Sequence, residues 1–418
     1  MRDGFIKVAA ITPKIKVADC IYNSEIICRQ IEEAYEHGAK ILVFPELCIT
    51  GYTCGDLFWQ EQLLREAKKA LYRILAETKG KKALVFVGLP WEVDGKLYNV
   101  AAACSDGQLL GLVPKRYLPS HSDYYEARNF YPGKEEAATL ILPMETENGM
   151  EDTAVMFGMN QMFVCPEMDG LAVAAELGED LWVPNPPSIR HALAGANVIV
   201  NLSASTEVTG KSDYRTSLVC GQSARLLCGY IYSSAGEGES TQDVVFGGHN
   251  LIAENGALLD SSSRFSSGIL YGELDIHKLR AERRRMTTFE SYGPADEKNN
   301  YVENVFSLEI EETKLTRKFG SVFSLFKTCL CGIKGIFQEH CDCHGTDTSG
   351  NGGDIGCLRL DLGKIHVSAK LSVFTAVDSD VDYNCAVLNH IGCKEIRLSD
   401  CGNKDISTAA SGCQVFCS

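Results

Sequence analysis

No stretch of the 418-residue sequence approaches the about 18 consecutive apolar residues that a membrane-spanning helix requires, so no membrane partner is expected. A surplus of positive charge is also missing. The 40 Lys and Arg stand against 55 Asp and Glu, a formal net charge of −15, which argues against nucleic acid or an anionic membrane surface as the main partner. The N-terminal stretch MRDGFIKVAAITPKIKV has no secretory h-region, because its apolar run is short and broken by Lys7; the cytoplasm is the expected compartment. No internal repeat is found. What is present is ordinary for a soluble globular protein, 45% hydrophobic and 23% charged, and long enough for a large core and two domains.

Cysteine is unevenly spread. Eight lie at positions 20, 28, 48, 54, 104, 165, 220 and 228, the usual scatter of buried thiols in a cytosolic protein. Ten more fall in the last 90 residues, which marks a change in composition.

Short apolar runs alternate with helical patterns. Ile6–Thr12, Ile41–Glu46, Ala83–Pro90 and Tyr98–Cys104 read as strands, with Asp94-Gly95 as a hairpin turn between the last two. Further strands are expected at 171–177, 197–202, 228–233, 249–253 and 268–274. Residues 19–37, 57–79 and 211–227 read as helices, the first closed by Gly38. Hairpins beside strand–helix–strand units predict mixed sheets with helices outside. Residues 291–320 are polar and acidic and read as a linker.

Three positions could make a site. Glu46 follows Pro45 at a strand's C-terminal end, where a carboxylate can act as a general base; a capping or surface role is the alternative. Lys115 lies in GLVPKRYLPSHSDYYEARNFYPG, where it could stabilise an oxyanion or simply be solvated beside Arg116. Gly178 stands where the strand Leu171–Leu177 opens into Glu179 and Asp180, and a glycine there permits a tight turn.

Together the three resemble the nitrilase, or carbon–nitrogen hydrolase, superfamily, whose members carry an FPE strand end, a PK-x-x-LP segment and a strand ending E-x-nucleophile-ED-LW. The words ELCITGYTCGDLF, EDLWVPNPPS, LAGANVIVNLSAS, GKSDYR and GESTQDVVFGGHNLIAENG narrow the resemblance to the glutaminase domain of the glutamine-dependent NAD+ synthetases, over roughly residues 5–318. The resemblance implies an α/β fold with a four-layer α-β-β-α sandwich in residues 1–290, and a homo-oligomer. It implies a Glu–Lys–Cys triad acting on L-glutamine: Glu46 as base, Lys115 holding the oxyanion, and Glu126 orienting the lysine. His121, Ser205 and Lys211 fall where the family contacts its substrate. No metal or cofactor is implied for this domain. ATP and Mg2+ are implied only for a synthetase domain, which amidates deamido-NAD+.

The sequence departs from the family in three places. Gly178 occupies the nucleophile's position, so hydrolysis by this chain is expected to be impaired, leaving a catalytically silent amide-binding or assembly module as the alternative function. Ser120-His121 replaces an asparagine–tyrosine pair whose tyrosine lines the glutamine pocket. The synthetase SGG-x-DS loop has only SGNGGDIG (349–356) as a counterpart. Residues 321–418 are therefore read as a degenerate or truncated region. A zinc site on Cys329, Cys331, Cys341, Cys343 and His344 is the competing reading, and their C-x-C pairs strain its geometry.

Overall fold

The computed structural model describes residues 4–146, 149–289, 300–309 and 317, all within one unit, Met1–Arg317. Expectations for 321–418, including the zinc reading and the SGNGGDIG string, lie outside the described residues.

The chain runs β1 (Phe5–Thr12), α1 (Cys20–Glu36), β2 (Ile41–Val43), α2 (Glu61–Thr78), β3 (Leu84–Val93), β4 (Lys96–Ser105), β5 (Gln108–Pro114), β6 (Ala138–Thr146) and β7 (Gly149–Phe157). It continues through β8 (Gln161–Val164), β9 (Ala172–Leu177), α3 (Pro187–Ala194), β10 (Val198–Ser203), α4 (Lys211–Leu226) and β11 (Gly229–Ser234). The remaining elements are β12 (Leu251–Glu254), β13 (Ala257–Ser261), β14 (Gly268–Asp275), α5 (Ile276–Arg285) and β15 (Val302–Val305). The strands form two mixed sheets, ordered β14-β1-β2-β3-β4-β5-β7-β6 and β13-β12-β11-β10-β9-β8-β15. Strands β1, β2 and β3 are parallel in the first sheet, as are β9, β10 and β11 in the second.

The period of two along each strand sorts its side chains onto two faces. From β1, Ile6, Val8 and Ala10 pack with Val198, Val200 and Leu202 of β10 in a core between the sheets. Ala9 and Ile11 face the other way, onto α1 and α2, where Ile27, Ile31, Leu71 and Ile74 cover the first sheet. Ile199 and Tyr230 pack similarly beneath α3 and α4 with Ala192 and Val219. The result is the expected four-layer α-β-β-α sandwich. Strands buried on both faces read as continuous apolar runs, which is why VAAI, LVFVGL and VIVNL stood out.

The Asp94-Gly95 hairpin is present, with φ of +51° and +70°, as a primed two-residue turn requires. Three other expectations change. Strand β2 ends at Val43, before Pro45, so Glu46 stands in a turn beyond the strand. Residues 138–146 and 149–157, not anticipated as structure, pair as the antiparallel strands β6 and β7 at the sheet edge. The stretch read as a linker supplies β15, paired in parallel with β8, and it buries Phe306 and Leu308 in the inter-sheet core. Val302 and Val305, three residues apart in an acidic context, carried too little hydrophobic signal to reveal it.

Candidate active site

The strands β2, β5, β9 and β10 end on the same side of the sandwich, and the residues following them converge on one cavity of about 130 Å3. Its lining includes Glu46, Lys115, Glu126, Gly178, His121, Ser205 and Lys211, all seven candidates read from the sequence. Such a volume is below the 300–1,000 Å3 or so of drug-sized sites and suits a small metabolite.

Glu46 is fixed from two sides. Its backbone turn passes Gly88 of β3, where an added Cβ would stand 2.8 Å from the Glu46 carbonyl carbon, so only glycine admits this approach. Its Oε1 accepts from Asn99 Nδ2 and from Lys115 Nζ, each at 2.5 Å. Lys115 Nζ also donates to Glu126 Oε1 at 2.7 Å, and Tyr52 Oη donates to the same oxygen at 2.7 Å. All three charged side chains are buried. Burial disfavours the Lys115 ammonium, but Glu126 and Glu46 outweigh it and raise its pKa. Burial, reinforced by Glu46, pushes the Glu126 carboxyl up to about 8 against the pull of Lys115. The cluster thus sets one ammonium between two buried carboxyl groups, with that of Glu126 held well above its ordinary range.

Gly178 opens a short 3₁₀ turn, Gly178–Leu181, with φ of +45°, in the left-handed region that favours glycine. A Cβ added there would crowd Glu46 Oε2 and lie 2.9 Å from Lys115 Nζ. Carboxylate, ammonium and bare elbow therefore share one small volume. Asp180, buried, ties the elbow to the lysine segment: it accepts from Leu177 N at 3.1 Å, Arg116 N at 3.2 Å and Tyr117 N at 2.8 Å. Burial nevertheless pushes its carboxyl up to about 7.

The outer part of the cavity is built from both sheets. Ser205 follows β10, and the buried Arg215 guanidinium donates to its Oγ at 3.3 Å while pairing with Glu207 at 2.9 Å. Lys211 opens α4. Its ammonium reaches Thr206 Oγ1 at 2.9 Å and lies 5.4 Å from the Trp182 ring centre and 5.7 Å from that of Tyr124. His121 is exposed at the rim, its Nε2 3.4 Å from Glu179 Oε1. None of the cysteines among the described residues lines the cavity.

Reading the residues one by one missed Asn99, Tyr52 and Asp180. Asn99 had a signal, a polar residue inside the apolar run LYNVAAAC, which must find a partner when buried. Tyr52 and Asp180 sat in quoted motifs, but their targets lie 74 and about 63 residues away along the chain.

Residues 7–284 match the family of carbon-nitrogen hydrolases. A glutamine-dependent NAD(+) synthetase from Mycobacterium bovis is 38% identical over 289 residues, 69% of this chain and 41% of that protein. The chain thus spans about two fifths of the length of the curated relatives it matches. Among solved structures, a glutamine-dependent NAD(+) synthetase from Cytophaga hutchinsonii superimposes with a TM-score of 0.57 at 28% identity, over 64% of this chain and 43% of that one. An amidase of the nitrilase superfamily from Nesterenkonia shares the fold, with a TM-score of 0.51 at 19% identity, over 68% of this chain and 98% of that one.

Proposed function

Because this chain belongs to the carbon–nitrogen hydrolase family, we propose that its cavity is a glutamine amide site of the glutaminase type that keeps the base and the oxyanion holder but lacks the covalent nucleophile. The observation that carries the proposal is the contact geometry at Gly178, where an added side chain would meet Glu46 and Lys115 together. In a cysteine enzyme of this plan, the thiolate attacks the amide carbon, the glutamate passes the thiol proton to the departing ammonia, and the lysine steadies the oxyanion until water releases glutamate. Here Glu46 and Lys115 are in position to bind and polarise the amide, and only water is available to attack. Loss of a nucleophile of this kind costs on the order of 10⁶ in kcat.

Amidation of deamido-NAD+, with ATP and Mg2+, would be the work of a second domain, and the relatives named for it supply that reading. The alternative, a silent amide-binding or assembly module, rests on the same Gly178 and differs only in whether slow hydrolysis persists.

The test pairs calorimetric binding of L-glutamine with ammonia release by the native chain and by Gly178→Cys. A cysteine there requires Glu46 Oε2, which holds neither the Asn99 nor the Lys115 bond, to give way. The expected outcome is glutamine binding by both proteins and ammonia release at least about 10⁴-fold faster in the cysteine variant. Native ammonia release as fast as the variant's, or no glutamine binding by either, overturns the proposal.

A further inference from the structure

A second cavity, of about 40 Å3, shares no lining residue with the first. Lys115 lines the first, and the next residue, Arg116, lines the second. Asn160 enters between β7 and β8, beside Tyr301, because Val302 N donates to the Asn160 carbonyl at 3.0 Å where β15 joins β8. Arg190 and His191 come from α3, and Glu135 from the loop before β6. Two groups in this wall lack a counterpart. The Asn160 side chain is 4% exposed, and its amide makes no hydrogen bond among the described residues. A buried amide without a partner is costly, so the arrangement points to an occupant that supplies the bond. Arg116 donates to Gly133 O at 3.0 Å and makes no ion pair among the described residues. The one carboxylate of the lining, Glu135, is already paired with Arg190, and burial keeps the His191 ring neutral near pH 7. The lining is therefore positive by one guanidinium, whose remaining N–H groups fit the paired oxygens of an oxyanion. A single water needs about 10–15 Å3, so the cavity admits about three such units, the size of a carboxylate or a small inorganic oxyanion.

We propose that this second cavity binds a small oxyanion, with the Arg116 guanidinium as its counter-ion and the Asn160 amide as a second donor. The inference does not depend on what occupies the first cavity. Two sources offer the chemistry, a carboxylate and inorganic phosphate, and the experiment separates them.

The experiment follows thermal unfolding of the full chain at pH 7 while sodium acetate, or sodium phosphate, replaces sodium chloride up to about 50 mM at constant ionic strength. A ligand that binds only the folded chain raises the midpoint along a saturating curve. The native chain is expected to saturate with at least one of the two anions, and the one with the lower half-saturating concentration identifies the source. In Arg116→Gln, and in Asn160→Asp, which sets a carboxylate against the ligand, that concentration is expected to rise at least about tenfold, because a hydrogen bond to a charged group is lost or opposed. Asn160→Asp removes no hydrogen bond among the described residues, so it decides alone if Arg116→Gln does not fold. No rise with either anion, a rise that does not saturate, or an unchanged half-saturating concentration in either variant that folds overturns the inference; the last two mark a general salt effect on the surface.

Discussion

At the scale of single residues, His191 shows how burial writes a pH dependence into the fold. Its Nδ1 lies 2.7 Å from the Tyr301 hydroxyl, and burial holds its pKa down to about 4 from the ordinary 6.5. The unfolded chain takes up a proton near pH 6.5 that the native chain refuses until about pH 4. Unfolding therefore takes up a proton at this residue, and the contribution of His191 to stability falls as the pH drops through the window, by about 3 kcal/mol at the limit. The raised carboxyls of Glu126 and Asp180 act in the opposite sense over the same window, so the loss is read as a difference: between pH 7.5 and pH 4.5 the urea-unfolding free energy should change less favourably in the native chain than in His191→Gln. From the sequence, His191 was one polar letter in a short segment. Its partner Tyr301 lies 110 residues away, so nothing local announced it. Glu46 and Lys115 were legible for the opposite reason: each follows a proline at the end of an apolar run, and that local context marks a strand end at a sheet's rim.

At the scale of elements, one side chain of α5 ties it to the ends of two other helices. Arg283 donates to the carbonyls of Ala196 and Leu226, at 2.6 and 2.9 Å, and to Leu227 O at 3.1 Å. It also reaches Gly195 O at 3.5 Å, so a single guanidinium serves the C-terminal ends of both α3 and α4, where carbonyls lack helical partners and the dipole favours a cation. Arg283→Met should lower the unfolding free energy by about 2–4 kcal/mol, measurable by chemical denaturation, because several partly buried carbonyls lose their donor together. Arg283→Lys should restore only part of it, as an ammonium cannot fork to both helix ends. Elements of this kind were hard to read. Of the ten residues of α5 only Ile276 and Leu279 are buried apolar ones, and α3 is eight residues long, too short for a helical stripe to repeat. By contrast α2 carries Leu63, Ala67, Ala70, Leu71 and Ile74 on one face, and its pattern was plain, though it begins at Glu61, not near residue 57. The N-terminal part of that prediction, Leu57 to Trp59, belongs instead to the 3₁₀ segment Tyr52–Trp59, whose amides at Tyr52 and Thr53 are held by the buried Glu239 at 2.7 and 3.0 Å.

At the scale of the whole molecule, the segment after residue 300 completes the sandwich. Phe306 and Leu308 enter the core between the sheets, 3% exposed each, although their immediate neighbours are half-buried or exposed. Phe306→Ala should cost about 3–5 kcal/mol, a core-sized effect, whereas a residue in a mere connector would cost close to nothing. Equilibrium unfolding distinguishes the two outcomes. The sequence reading of 291–320 as a linker did not anticipate the core contact of residues 306 and 308, because two buried side chains, separated by one residue, carry no periodicity long enough to detect.

The same two-sheet construction bears on the cavity. Glu46, Lys115 and Glu126 hang from the first sheet, while Gly178, Ser205 and Lys211 hang from the second, and Asp180 stitches the two groups together through backbone amides. An occupant of the cavity thus acts as a rivet through two plates: it resists their sliding, and any slip between them unmakes the seat on which it rests.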